Sequence, residues 1–218
     1  MNLFDWSFTL SILPQLLQAS LKTIGITLVA FVLAVVLGLV LAVARRSRRL
    51  WLSWPAASVI EFVRSTPLLI QVYFLFYVLP TYGLNMTALV AGTLGIALHY
   101  ACYTAEVYRA GLDSVPRGQW EAVTALNLSP WKAYRDVILP QAIRPILPAL
   151  GNYLIAMFKD TPVLSAITVV EIMQQAKNIG SESFRYLEPI TLVGLFFLTI
   201  SIVLAFGVRQ VESRTALR

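Results

Sequence analysis

Charged side chains are scarce in this chain. Asp, Glu, Lys and Arg make up 13% of 218 residues against 58% hydrophobic residues, and the mean hydropathy is +0.73. A soluble globule of this length needs more charge to cover its surface, so the composition points to an integral membrane protein. The single cysteine, Cys102, excludes an internal disulfide and reads as a small buried hydrophobe within an apolar run. The single histidine, His99, has no second His or Cys at helical spacing, so it reads as a hydrogen-bonding group between helices rather than a metal ligand. No Gly-x-x-x-x-Gly-Lys, His-Glu-x-x-His or Gly-x-Ser-x-Gly occurs, which removes the usual phosphate loop, zinc-protease helix and nucleophile elbow. A non-catalytic chain without its own cofactor or metal is expected. The first twenty residues hold Asp5 but no Lys or Arg, so the basic start of a cleavable signal is missing. Trp6, Phe8, Leu10, Leu13, Leu16 and Leu17 read instead as an interfacial, amphipathic approach to the first span.

What the chain has is long apolar runs. Crossing the hydrocarbon takes about 20 apolar residues in a helix, and five runs qualify: 23–44, 59–80, 84–105, 139–158 and 189–208. The expectation is a single domain, an all-α integral membrane protein with five transmembrane helices and its termini on opposite sides. Basic loops stay in the cytoplasm. With the N-terminus outside, thirteen of the seventeen Lys and Arg residues fall inside, among them Arg45, Arg46, Arg48, Arg49, Arg117, Arg214 and Arg218. Only Lys22, Lys159, Lys177 and Arg185 fall outside. The C-terminus and the segment 110–138 are then cytoplasmic. The net charge of +6 follows from this topology, because the basic residues flank apolar spans; no nucleic-acid partner is implied.

The segment 119–140 is polar and punctuated. Gln119 to Leu126 is built of good helix formers, and Asn127 stands where a left-handed terminating residue is expected. Ser129 offers an N-cap oxygen and Pro130 suits the first position of a second short helix, which runs from Trp131 to Ile138 and stops before Pro140. Trp120, Ala122, Val123, Ala125 and Leu126 make a compact helix able to lie in a groove of a partner. A basic amphipathic helix on the membrane surface is the other reading.

Glu121-Ala122-Val123, Asn127 and Ile138-Leu139-Pro140 resemble the "EAA" cytoplasmic loop of bacterial ABC importer permeases, with Val123 for the second Ala and Asn127 for Gly. Three more stretches narrow the resemblance. Arg64-Ser65-Thr66-Pro67-Leu68-Leu69-Ile70-Gln71 resembles RGTPLxxQ, with Ser65 for Gly. Tyr103-Thr104-Ala105-Glu106-Val107-Tyr108-Arg109-Ala110-Gly111 resembles YxAExxRGG, with Ala110 for Gly. Lys159-Asp160-Thr161-Pro162-Val163-Leu164-Ser165-Ala166-Ile167 resembles KDTSLLSxI, with Pro162 for Ser. Together they resemble the permease subunits of polar amino-acid importers, the histidine/glutamate/glutamine/arginine/opine group, from about residue 23 to 211.

That resemblance implies a bacterial inner-membrane subunit working by alternating access. Two cytoplasmic ATPases, holding the ATP and Mg, would dock on the loop around Glu121. A second permease subunit, the same or a sister chain, and a periplasmic or tethered solute-binding protein complete the assembly. The expected cargo is an amino acid or a related zwitterion. The mixed charges of 177–188, with Glu171, suggest a landing surface for the binding protein, although a solvated loop has the same composition. A passive channel or scaffold not coupled to ATP is the alternative; a membrane-embedded enzyme has little to work with beyond His99 and scattered hydroxyls.

The remaining polar residues in the spans admit two readings each. Glu61 with Arg64, and Glu106 with Arg109, are opposite charges three apart on one helix face; they either pin helices together or face the pathway. Lys159 and Asp160 interrupt a Pro-broken apolar run of the kind that lines a central cavity, where they would meet the carboxylate and ammonium of a zwitterion, with Thr161, Ser165, Thr66 and Gln71 in the same pathway. Alternatively Lys159 snorkels to the interface and Asp160 caps the next helix.

Overall fold

The computed structural model describes residues 4–216, and every regular element among them is helical. Arg218, counted above with the cytoplasmic basic residues, lies outside the described residues. Three helices are each long and apolar enough to cross a membrane: α1 (Trp6–Arg45), α4 (Ala88–Asp113) and α9 (Leu187–Ala216). Two bent helix pairs also pass by length and composition, which makes up to five spans if each pair counts as one.

α1 departs from the expected 23–44. Its 40 residues make a rod of about 60 Å, some twice the hydrocarbon thickness. The leading apolar residues form no separate interfacial helix, because Pro14 is absorbed within α1 and Ile12, Leu16 and Ala19 pack on Ile172, Ile179 and Val193. The start is fixed by Asp5, whose carboxylate accepts from the backbone N–H groups of Ser7 and Phe8 and pairs with Arg185 at 3.1 Å. The Ser7 hydroxyl, the Phe8 N–H and Arg185 together pull the Asp5 carboxyl from 3.8 down to about 2. Arg185 also holds Glu188 at 2.6 Å, tying the first turn of α9 to the first turn of α1.

α1 and α4 form the centre through small residues. Ala30, Ala34, Gly38 and Ala42 recur every fourth position on α1, and Ala97, Ala101 and Ala105 do so on α4; among these seven, the six alanines are at most 6% exposed. Such stripes let two backbones approach closely and gain dispersion contacts along their length. A Cβ on Gly38 would lie 2.8 Å from the Ala101 carbonyl oxygen. The Thr104 hydroxyl donates to the Ala34 carbonyl at 2.9 Å and the Tyr108 hydroxyl to that of Val35 at 3.2 Å.

The second expected span, 59–80, is a broken one. α2 (Leu50–Arg64) turns through 107° into α3 (Leu68–Tyr73), which continues as a π-turn and a 3-10 turn to Tyr82. Pro67 lacks an N–H and pushes Thr66 out of the helical region, so the chain must break there. The side-chain amide of Gln71 repairs the break, donating to the carbonyls of Val63 at 2.7 Å and Thr66 at 3.0 Å.

A second break follows α7 (Leu139–Asp160). The chain passes through a 3-10 segment, Thr161–Ile167, and a left-handed Thr168 before α8 (Ile172–Ser183), and the two limbs meet at 46°. Irregular backbone at this depth is tolerated where protein surrounds it. Here Leu164 and Ile167 are fully buried in the core, and the N–H of Ile172 donates to the Thr23 hydroxyl at 3.1 Å. The tail expected as a mixed-charge loop is therefore mostly helical. Glu171 is fully buried as the N-cap of α8, accepting from Met173 and Gln174, and Glu188 is 2% exposed. Neither carboxylate belongs to an open landing surface.

Candidate functional site

The elbow between α4 and α7 begins at α5 (Arg117–Ala125). Its end is built as expected at Asn127, which adopts φ 50. The N–H of Leu128 reaches the Val123 carbonyl and that of Asn127 the Thr124 carbonyl, both at 3.0 Å, the paired bonds of a Schellman ending. Two details differ from the sequence expectation. Ser129 occupies the cap position of α6 (Pro130–Lys132), yet its side chain makes no capping bond. Nor does the second limb stop before Pro140: it runs through a π-turn, Ala133–Ile138, directly into α7. Widening by one residue makes room for a proline that has no N–H to give and would crowd the carbonyl of the preceding turn.

α5 has two faces. Val123 is buried, and Gln119 and Trp120 are half-buried; Gln141 donates to Gln119 at 3.2 Å, and Trp120 meets Tyr134 edge-on at 5.6 Å and carries Arg46 over its ring at 5.9 Å. Glu121, Ala122, Ala125 and Leu126 are exposed, as are Ser129 and Pro130. Of the residues expected to dock, three thus fix the elbow to the helices and four make its free stripe.

The expected pathway residues are brought together only in part. Lys159 is exposed, whereas Asp160, one position on and about 100° round the helix, makes no cap and instead accepts from the Tyr100 hydroxyl at 2.6 Å. Thr161 is fully buried, spending its hydroxyl on the Phe158 carbonyl, and Ser165 accepts from Lys177 at 2.9 Å. Thr66 and Gln71 line a cleft of about 280 Å³ with Phe74 and Leu98. Because the Gln71 amide nitrogen serves the α2–α3 break, its oxygen is left to accept from His99 Nδ1 at 3.0 Å, which fulfils the interhelical role expected of that histidine.

Tyr100 and Tyr153, which the sequence did not single out, complete a polar layer with His99, Tyr103 and Arg64. His99 and Tyr100 lie against Tyr103, Tyr153 closes on both tyrosines at 5.7–6.0 Å, and the Arg64 guanidinium sits 5.3 Å from the Tyr103 ring centre. Arg64 Nε is buried with no hydrogen-bond partner. The layer thus places a carboxylate, Asp160, at the Tyr100 ring and a partly unsatisfied guanidinium, Arg64, at the Tyr103 ring. The ion pairs expected from spacing are both present, Glu61–Arg64 at 3.8 Å and Glu106–Arg109 at 2.9 Å, and Arg45 reaches both carboxylates.

The family described as the binding-protein-dependent transport system inner membrane component matches residues 34–217. The chain belongs to that family. This permease is 47% identical over 95% of its length to a probable amino-acid ABC transporter permease protein, y4tG, of Sinorhizobium fredii, covering 90% of that protein. It is 36% identical to the glutamine transport system permease protein GlnP of Escherichia coli, covering 97% of each chain. A crystal structure of an amino acid ABC transporter with histidines superposes with a TM-score of 0.93 at 33% identity, over 97% of this chain and 99% of that one. An inward-facing MetNI methionine ABC transporter, at 18% identity over 94% of this chain and 98% of that one, shares the fold with a TM-score of 0.80. The permease is thus an all-α, multi-pass subunit of an ABC importer in the inner membrane.

Proposed function

We propose that this permease moves polar amino acids or related small zwitterions inward by alternating access, driven by two cytoplasmic ATPases that dock on α5. The observation that carries this reading is the two-faced elbow. A partner's groove would receive Ala122, Ala125 and Leu126 at close range while Glu121 meets a basic residue, and the anchored face of Trp120 and Val123 passes the push to the membrane helices. ATP and Mg would be held by those partners. A second permease subunit would complete the pathway, and a periplasmic or tethered binding protein would deliver cargo at the end where α8 meets α9. The N-terminus lies outside and the elbow in the cytoplasm, as the distribution of Lys and Arg favours.

The polar layer supplies the chemistry for a zwitterion. Asp160, at the Tyr100 hydroxyl, would attract the ammonium, and the charge of the Arg64 guanidinium, at the Tyr103 ring, would attract the carboxylate, with Tyr153 packed on both tyrosines. The amino-acid names of the relatives agree with that charge arrangement. Glu121→Arg tests the docking. The protein is expected to insert normally, to lose its ATPase partner on purification, and to show no uptake in proteoliposomes; unimpaired uptake by that variant would remove the docking reading.

A further inference from the structure

α5 and the polar layer are joined by one continuous run of alternating charge. It starts at Trp120, under the guanidinium of Arg46, which pairs with Asp113 at 2.7 Å. Asp113 binds Arg109 at 2.9 Å, Arg109 binds Glu106 at 2.9 Å, and Glu106 binds Arg45. Arg45 reaches Glu61 at 4.0 Å, Glu61 lies 3.8 Å from Arg64, and Arg64 sits over Tyr103.

The rungs are unequal, and their inequality has a mechanical meaning. Those between α1 and α4 are short, and the two helices are already fused through Ala34, Gly38 and Ala101, so this part moves as one body. The one rung to α2, Arg45–Glu61, and the Glu61–Arg64 rung within α2 are the longest, and both end on Glu61, whose side chain is 61% exposed against 17% for Glu106. A guanidinium shared between a tight carboxylate and a loose one has two arrangements, bridging both or serving the tight one alone. That loose joint adjoins the 107° break at Ser65–Pro67, which no backbone helix bond spans and which the Gln71 side chain bridges.

Resting on the docking reading above, we propose that Arg45 and Arg46 are positioning residues that carry the displacement of α5 to Arg64 and Tyr103, with the Arg45–Glu61 contact as the joint that opens and closes. Arg46 takes the thrust of Trp120, the α1–α4 body passes it on, and the state of the joint sets where Arg64 stands over the tyrosines. In the sequence these arginines only mark which side of the membrane is cytoplasmic.

The test uses the whole transporter, with its ATPases and binding protein, in proteoliposomes. Arg46→Gln removes the first rung at a part-exposed position and leaves Asp113 on Arg109, Arg46→Lys keeps the charge there, and Glu61→Gln uncharges the joint. ATP hydrolysed per solute taken up is read beside membrane abundance and ATPase co-purification. Arg46→Gln and Glu61→Gln are each expected to raise that ratio about fivefold or more, with abundance and co-purification as in the wild type, and Arg46→Lys to stay within about twofold of the wild type. Wild-type ratios in Arg46→Gln and Glu61→Gln would make the run a set of fasteners and overturn the proposal; so would loss of co-purification in Arg46→Gln, which would place Arg46 in the docking face. Either result, alongside a Glu121→Arg variant that still loses uptake, leaves the docking reading standing. Unimpaired uptake by Glu121→Arg takes both down together.

Discussion

Asp160 and Lys159 are neighbours in sequence with different surroundings in space. A helix turns about 100° per residue, so the lysine comes to the surface while the carboxylate enters the layer of Tyr100, Tyr103 and Tyr153. Two substitutions separate charge from packing there. Asp160→Asn keeps an oxygen to accept the Tyr100 hydroxyl but removes the negative charge, while Tyr100→Phe removes the hydrogen bond and keeps the charge. A charge-assisted bond contributes roughly 1.5–3 kcal/mol, so Asp160→Asn is expected to lower uptake of a zwitterionic amino acid about tenfold or more in proteoliposomes. Tyr100→Phe is expected to lower it by less than about threefold, since a neutral hydrogen bond contributes closer to 1 kcal/mol. Equal losses in the two variants would make Asp160 a structural acceptor. The aspartate was legible as a charge in a broken apolar run. Tyr100 and Tyr153 were not, because a phenol in a span reads as packing, and Tyr103 entered only as part of a family-like stretch; the signal that could have found the layer is His99, Tyr100 and Tyr103 on one helix within about a turn.

Elements were legible where their signals are local. Asn127 ends α5 because a left-handed residue is needed there and Asn accepts that conformation, and no distant contact alters the choice. The breaks at Pro67 and after Asp160 depend on partners far along the chain or across the bundle, such as Gln71 for the carbonyls of Val63 and Thr66 and Thr23 for the N–H of Ile172. Hydropathy counts residues and does not see these. The length of α1 was hidden for a related reason: the apolar leader reads as a separate interfacial approach until α8 and α9 are present to cover it. The α1–α4 contact makes a sharp test of the small-residue stripe. Gly38→Val would drive its side chain into the Ala101 carbonyl and Thr104, and an overpacked core site costs about 1–3 kcal/mol. Gly25→Ala, on the same helix with nothing within 4 Å of the new methyl, is expected to be neutral or to gain up to about 1 kcal/mol from helix propensity. Thermal unfolding of the purified permease in one detergent should place Gly38→Val below and Gly25→Ala at or above the wild type. Equal midpoints for Gly38→Val and the wild type would show that the helices separate without cost.

For the whole molecule, the mechanism requires one orientation, because a lever driven by ATP must face the compartment that holds ATP. Between the elbow and the turn joining α8 to α9 lies one bent pair, α7 with α8; counted as a single crossing, it puts the two on opposite sides. Cys102 is buried, so a membrane-impermeant maleimide should report only on cysteines introduced elsewhere. Leu126, 71% exposed on the free stripe of α5, and Phe184, 91% exposed at the end of α8, mark the two sides. On intact spheroplasts Phe184→Cys is expected to be labelled and Leu126→Cys to stay unlabelled until the membrane is opened. In opened membranes, added ATPase subunits should shield Leu126→Cys and leave Phe184→Cys unchanged. The reverse pattern would put the elbow out of reach of any nucleotide-hydrolysing partner, and charge bias would then have misassigned the topology even though every helix is where the fold places it. Labelling in the expected order, with protection by the ATPase, would join the orientation and the docking face in one measurement. The sequence could argue these only separately, from thirteen basic residues against four and from one short helix with small side chains on its outer face.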